Sequence, residues 1–174
     1  MNIQVFFLKK NIGLGGAFRY GALKMTGSHL IFIPSDNSHP VAGLVEILKK
    51  INIKKSNHIL ISFVKNKKSR NFTRRLISIL YTKILNIIFR NKIKYFNGLN
   101  VYPKNILIQN INTTNSFSFQ TEIIIKSIKN KVGFYYTPTT ISERVSGTTS
   151  AFKFKNIIRV FKSIIGLIVY FYAK

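Results

Sequence analysis

Cysteine and tryptophan are absent from the 174 residues, and carboxylates are scarce: Asp36, Glu46, Glu122 and Glu143 are the only four, against 28 Lys plus Arg. Without cysteine there can be no disulfide and no thiolate metal site, and a reducing compartment is permitted. Histidine is sparse as well. His29, His39 and His58 are scattered without metal-ligand spacing, and none sits in a pattern with a serine or cysteine nucleophile, which argues against a hydrolase built on a catalytic triad. Long hydrophobic runs are also missing: the longest, residues 164–173, falls short of the roughly 20 residues that a bilayer-spanning helix needs. The short apolar run within residues 1–8 is followed, not preceded, by lysines, Lys9 and Lys10, so no export signal is expected.

What is present is apolar and basic. Hydrophobic residues make up 46% and aromatics 13%, too much for a disordered basic tail despite a formal net charge of +24, so a folded domain with its own core is expected. Lys, Asn and Ile are the residues of A/T-rich codons, and part of the charge carries that imprint. Its distribution is more informative, because residues 47–121 contain no acid at all. So wide a field of one sign attracts polyanions, whether nucleic acid, anionic lipid or a phosphorylated substrate.

Apolar runs at 3–7, 29–33 and 58–64 read as strands and alternate with helical patterns at 14–25 and 41–51, which predicts a parallel sheet with crossover helices. A long helix follows at 71–91, then a turn at Asn97-Gly98 leading into 99–102. Residues 118–130 read as a helix, 132–137 as a strand stopped by Pro138, and 139–150 as a polar loop. After that loop Phe154, Ile157, Ile158, Phe161, Ile164, Ile165 and Ile168 recur at helical spacing, with Lys153, Lys155, Arg159 and Lys162 on other faces. That pattern suits a helix lying in a membrane interface and suits equally a last helix packed on the core. The expected division is 1–151 for the main domain and 152–174 for the amphipathic helix.

Two places offer chemistry. Asp36 directly follows the apolar strand His29-Leu30-Ile31-Phe32-Ile33, and the carboxyl end of a strand is where open α/β sheets place ligands. A carboxylate there can hold a hard divalent cation that bridges phosphate oxygens, or serve as a turn residue or helix cap. The segment Lys10-Asn11-Ile12-Gly13-Leu14-Gly15-Gly16 lets backbone amides approach a phosphate at a helix N-terminus, although such turns are also common for structural reasons.

The order of these pieces resembles glycosyltransferase family 2. Lys10-Asn11-Ile12-Gly13, Ala17, Arg19, Gly21, Ala22 and Thr26-Gly27 look like that family's Asn-x-Gly turn and alanine-rich helix, and Ile31-Phe32-Ile33-Pro34-Ser35-Asp36 with His39-Pro40 looks like its strand and metal-binding loop. Arg74-Arg75-Leu76-Ile77-Ser78, Tyr95-Phe96-Asn97-Gly98-Leu99, Phe117-Ser118-Phe119-Gln120-Thr121-Glu122 and Glu143-Arg144-Val145-Ser146-Gly147-Thr148 resemble later segments, in the same order.

The resemblance implies an α/β, A-type glycosyltransferase-like (Rossmann-like) fold, with a mostly parallel sheet and flanking helices. It implies transfer of a sugar from a nucleotide sugar to a polyprenyl phosphate or similar lipid-linked acceptor at an anionic membrane surface, by a cytoplasmic protein peripheral to the membrane. By the same resemblance Asp36 would hold Mg2+ or Mn2+, Asn11 and Gly13 would contact the donor, and Arg74, Arg75, Ser78 and Arg144 would contact phosphates. Pro34 stands where relatives have the first Asp of the metal motif, and Ser38 where they have Gln. The family's first two strands have no counterpart, which leaves three expectations open: a fragment of a longer reading frame, a second chain supplying that N-terminal part, or loss of catalysis. Two other classes remain open: a non-catalytic membrane-surface protein on a degenerate transferase scaffold, and a basic nucleic-acid-binding protein.

Overall fold

The computed structural model describes residues 4–36, 38–52, 57–66, 72–142 and 153–173. The chain runs α1 (Gly13–Lys24), β1 (His29–Ile31), α2 (Val41–Leu48), β2 (His58–Val64), α3 (Phe72–Ile88), β3 (Val101–Pro103), α4 (Lys104–Gln109), α5 (Phe119–Lys129), β4 (Gly133–Thr139) and α6 (Phe154–Tyr172). Helix starts follow local chemistry. Pro40 and Pro103 hold the extended backbone that precedes α2 and α4, and the Pro40 carbonyl accepts from the amides of Gly43 and Leu44 at 2.9 and 3.3 Å.

The sheet has the order β1-β3-β2-β4. β2 and β4 form a parallel ladder from His58↔Gly133 to Val64↔Thr139. β1 pairs antiparallel with β3 over His29↔Pro103 to Ile31↔Val101, and β2 meets β3, again antiparallel, at Leu60↔Val101. β1, β2 and β4 therefore share one direction, as a mostly parallel sheet requires, and β3 alone runs the other way and makes the sheet mixed. The reason lies between α3 and β3. Asn86 bonds Ile93 through both its amide groups, and from there residues 94–100 return to the carboxyl end of β2, where a Cβ on Gly98 would sit 2.2 Å from the Ser62 carbonyl oxygen. β3 consequently enters the sheet from the end at which β2 leaves it.

Other expectations are adjusted too. Residues 4–8 form no strand; Phe6 instead packs edge-on against Tyr20 of α1 at 5.8 Å, and Phe7 is exposed. Pro138 does not stop β4, because β4 is the outer strand, where a missing amide on the open side costs no ladder bond. α4 escapes sequence reading because six residues are too few to show a helical period.

The helices cover the sheet unequally. On one face Phe18 (α1), Leu85 (α3) and Phe89 just past it, Ile106 (α4), Ile123 (α5) and Leu167 (α6) share a core with Ile59 and Ile61 of β2. On the other, α2 contributes buried Ile47 and half-buried Leu44 to a small cluster with Leu60, Leu99 and Val101. Phe18, Phe32 and Phe119 interlock, with ring centroids 4.6 to 6.1 Å apart.

α3 and α6 keep an apolar face outward. On α3 that face carries Phe72, Leu76, Leu80, Ile84 and Ile87, opposite the side bearing buried Leu85. On α6 it carries Phe154, Ile158, Phe161 and Ile165, with Lys155, Arg159 and Lys162 along one flank. The C-terminal end of α6 is fixed: Lys129 Nζ donates to the carbonyls of Tyr170 and Ala173, the Tyr172 hydroxyl donates to the Ile88 carbonyl, and Phe171 packs edge-on against Phe89.

Candidate functional site

Because β1, β2 and β4 share a direction, their carboxyl ends deliver loops to one end of the molecule. Asp36 lies there, half-buried, five residues past β1. Its Oδ1 accepts from the Ser38 amide at 3.1 Å and from the Ser38 hydroxyl at 2.6 Å, a local turn that fixes the carboxylate. Asp36 is not the cap of α2, whose N-cap is Pro40. Ser38 O accepts from the Ser142 amide at 3.1 Å, and Asn66, just past β2, bonds Ile141 through both ends of its amide. The loops after β1, β2 and β4 are thereby tied together. Arg144 lies outside the described residues.

Arg74, Arg75 and Ser78 occupy the first two turns of α3, the helix that follows β2. Arg74 and Ser78, four residues apart, share the half-buried side, whereas Arg75 is exposed. Glu46 on α2 pairs with Lys65 at 3.0 Å, both side chains nearly half exposed, so this pair adds little stability. Among the described residues no three His, Cys, Asp or Glu side chains come together as a metal site. Asp36 suits a cation held by one protein carboxylate and completed by substrate phosphates, the common arrangement for Mg2+.

The glycine-rich turn is built differently from the expected phosphate cradle. The Gly13 amide donates to Asn11 Oδ1 at 2.8 Å and the Gly15 amide to the Asn115 carbonyl at 3.2 Å, so both are already satisfied. Gly13 has φ +75°, and a Cβ there would fall 2.4 Å from the Asn115 carbonyl oxygen. The glycines let the 113–116 loop close onto the start of α1. Arg19 completes the clamp, donating to the carbonyls of Asn112 and Thr113 and to Asn115 Oδ1 at 2.8 to 3.2 Å.

Glu122 holds the same loop from the other side. Its Oε1 accepts from Lys126 Nζ at 2.7 Å and from the amide and hydroxyl of Thr113, and its Oε2 accepts from the Thr114 amide. Burial pushes this carboxyl up, but the Lys126 hydrogen bond and the Thr113 and Thr114 amides outweigh it and hold it below its ordinary value. Sequence reading places Glu122 at the opening of a helix but cannot show this role, since its partners are backbone amides eight and nine residues away.

Beside this loop a cleft of ≈ 950 Å³ opens between the turn that begins α1, the 113–116 loop, α5 and the side of α6 carrying Arg159, Lys162, Ser163 and Gly166. Asn11 and Gly13 line it; Asp36, Arg74, Arg75 and Ser78 do not. The expected site residues thus divide between the sheet's carboxyl end and this cleft. Arg159 and Lys162, read from sequence only as the polar flank of an amphipathic helix, are the cleft's unexpected members.

Comparison with known proteins adds three findings. No curated protein matches the chain in sequence. Among solved structures it resembles glucosyl-3-phosphoglycerate synthase from Mycobacterium tuberculosis in complex with phosphoglyceric acid, at TM-score 0.65 and 13% identity over 91% of this chain and 55% of that one. The same enzyme with Mn2+, uridine-diphosphate-glucose and phosphoglyceric acid matches at 0.61, and with Mg2+ and uridine-diphosphate at 0.61, each at 13% identity over 91% and 54%. The chain therefore spans about half the length of these structures, and the likeness is one of fold: an α/β, A-type glycosyltransferase-like arrangement with a mixed sheet. The family described as Glycosyl transferase family 2 matches residues 1–116, and the chain belongs to that family.

Proposed function

We propose that the protein transfers a sugar from a nucleotide sugar to a phosphorylated acceptor, a polyprenyl phosphate or another lipid-linked phosphate, at an anionic membrane surface. The observation that carries this reading is Asp36, held by Ser38 at the sheet's carboxyl end in a chain of glycosyl transferase family 2. Three features support the acceptor and the setting. The solved structures of similar fold carry phosphorylated acceptors such as phosphoglyceric acid beside uridine-diphosphate-glucose. α6 presents Phe154, Ile158, Phe161 and Ile165 outward with cations alongside, and α3 adds a second outward apolar face. No described helix is long and apolar enough to cross a membrane, so contact by these faces would be lateral.

In this reading Asp36 holds a Mg2+ or Mn2+ together with the donor diphosphate, and the bound cation supplies positive charge to the leaving group. Arg74, Arg75, Ser78 and Arg144 bind phosphate oxygens and share that charge, while Asn11 and Gly13, which line the cleft and not the Asp36 end, support the donor side only indirectly, by closing the 113–116 loop onto the start of α1. A phosphate acceptor is already anionic at neutral pH, so its attacking oxygen needs little help from a general base, in keeping with a site poor in carboxylates. β1 is one of the two outer strands of the described sheet, which suits a further chain segment or a second chain pairing there.

The test is calorimetric titration of uridine-diphosphate-glucose into the full protein with and without Mn2+. Binding should require the metal and weaken at least about tenfold in Asp36→Ala, the loss of roughly one charge-assisted contact. Equal binding by wild type and Asp36→Ala would remove Asp36 from the site.

A further inference from the structure

The cleft between α1, the 113–116 loop, α5 and α6 does not include Asp36, and its charged lining is three cations, Lys126, Arg159 and Lys162, against one carboxylate. Its one carboxylate, Glu122, is already matched by Lys126 and two backbone amides. Lys126 is spent on that pair and on the Ile111 carbonyl at 2.8 Å. Arg159 and Lys162 differ: neither has a hydrogen-bond or ion-pair partner among the described residues, although both lie on the cleft wall, one turn apart on α6. The opposite wall carries Asn11 and Asn115. Each uses its side-chain oxygen within the protein, for Gly13 and Arg19, and keeps its NH2 group without a partner among the described residues. A cleft with two uncompensated positive charges, further N–H donors on its asparagines and no available carboxylate suits an oxyanion.

The geometry points to a second binding site in this cleft for a phosphate monoester, held by Arg159 and Lys162 with the amide groups of Asn11 and Asn115. A monoester carries close to two negative charges at neutral pH, its second pKa being about 6, which matches the two unpaired cations better than a diester's single charge. At ≈ 950 Å³ the cleft is larger than a bare phosphate needs and leaves room for an organic group. Gly166 lines it with no atom within 4 Å of where a Cβ would stand, so the space in front of it is open. Arg159 and Lys162, on the cleft wall, belong to the flank of α6 that adjoins its outward apolar face. The monoester could thus be a soluble metabolite or a lipid headgroup, and the two sources are separable by experiment.

Two probes and three variants test the site. Glycerol 3-phosphate binding is followed by calorimetry, and binding to phosphatidylcholine vesicles with and without phosphatidic acid by flotation. At least one probe should bind, and R159Q/K162Q should weaken it by about thirtyfold or more. Gly166→Leu, which fills the cleft and leaves the charge untouched, should weaken it comparably, while Gly166→Ala should not. Glycerol 3-phosphate binding places a soluble monoester in the cleft; capture by phosphatidic acid vesicles alone places a lipid phosphate there. Thermal melts of all variants guard against unfolding. Failure of both probes, or full binding by folded Gly166→Leu, overturns the site. Asp36→Ala should bind the monoester normally, so the cleft and the donor site stand or fall separately.

Discussion

α5 and α6 pack side by side on one face of the sheet, yet they treat their side chains in opposite ways. α5 buries eight of its eleven residues, among them the polar Gln120, Thr121, Glu122 and Ser127. α6 is longer and richer in large apolar residues, yet only Leu167 is fully buried, and Phe154 and Phe161 stand exposed. Burial here follows position rather than hydrophobicity. α5 lies between the sheet and its neighbours, and its polar groups are tolerated because nearly all are satisfied: Gln120 accepts from Asn100 at 3.0 Å and Tyr102 at 2.9 Å, and Thr121 meets the Tyr81 hydroxyl at 2.8 Å. Burial pushes the Tyr81 phenol up to about 12, partly offset by that bond to Thr121, so Tyr81 keeps its proton at any ordinary pH.

This contrast can be broken most sharply at Glu122. Glu122→Ala leaves Lys126 without its carboxylate and frees the amides of Thr113 and Thr114, and should cost about 3–5 kcal/mol, read as a lower urea midpoint. Glu122 also sets an acid limit. Its pKa is lowered in the folded state, so its contribution is complete above the ordinary carboxyl value and fades as pH falls through the lower folded value. Wild type should lose stability in that range, and Glu122→Gln should show a flatter profile.

A smaller effect is expected at Gln120. Gln120→Ala removes the acceptor shared by Asn100 and Tyr102 and should cost about 1–3 kcal/mol in the same assay. Smallest is the outward face of α6: Ile158→Ser with Phe161→Ser should shift stability by no more than about 0.5 kcal/mol, while clearly reducing binding to anionic vesicles. A large loss of stability from that pair would show that α6 is a core helix, and the contrast with α5 would disappear.

Much of this was legible in the sequence where periodicity is strong. β2 is found where its apolar run predicts it, and α3, α5 and α6 differ from expectation by a few residues at their ends. The reversed direction of β3 was hidden, because residues 99–102 look alike whichever neighbour they pair with. The run at 3–7 had β-strand character but meets no neighbouring strand in the described sheet, and alternation cannot report a missing neighbour. Asp36 was legible as the acid following a strand. The cleft was not, because it depends on Glu122 reaching the Thr113 and Thr114 amides and on α6 folding back over α5, and neither contact leaves a mark in residue spacing.

β3 also decides how force and fluctuation travel through the sheet. β2 and β4 are joined along seven residue pairs, while the β1/β3 ribbon meets β2 at the single pair Leu60↔Val101. Asn100 reinforces that seam by accepting from the Ser62 amide at 3.2 Å. The strand that leads to Asp36 thus belongs to a two-stranded ribbon whose backbone pairing with the long β2/β4 ladder is a single rung, backed by the Ser62–Asn100 bond and the packing of Leu99 and Val101 on Leu60.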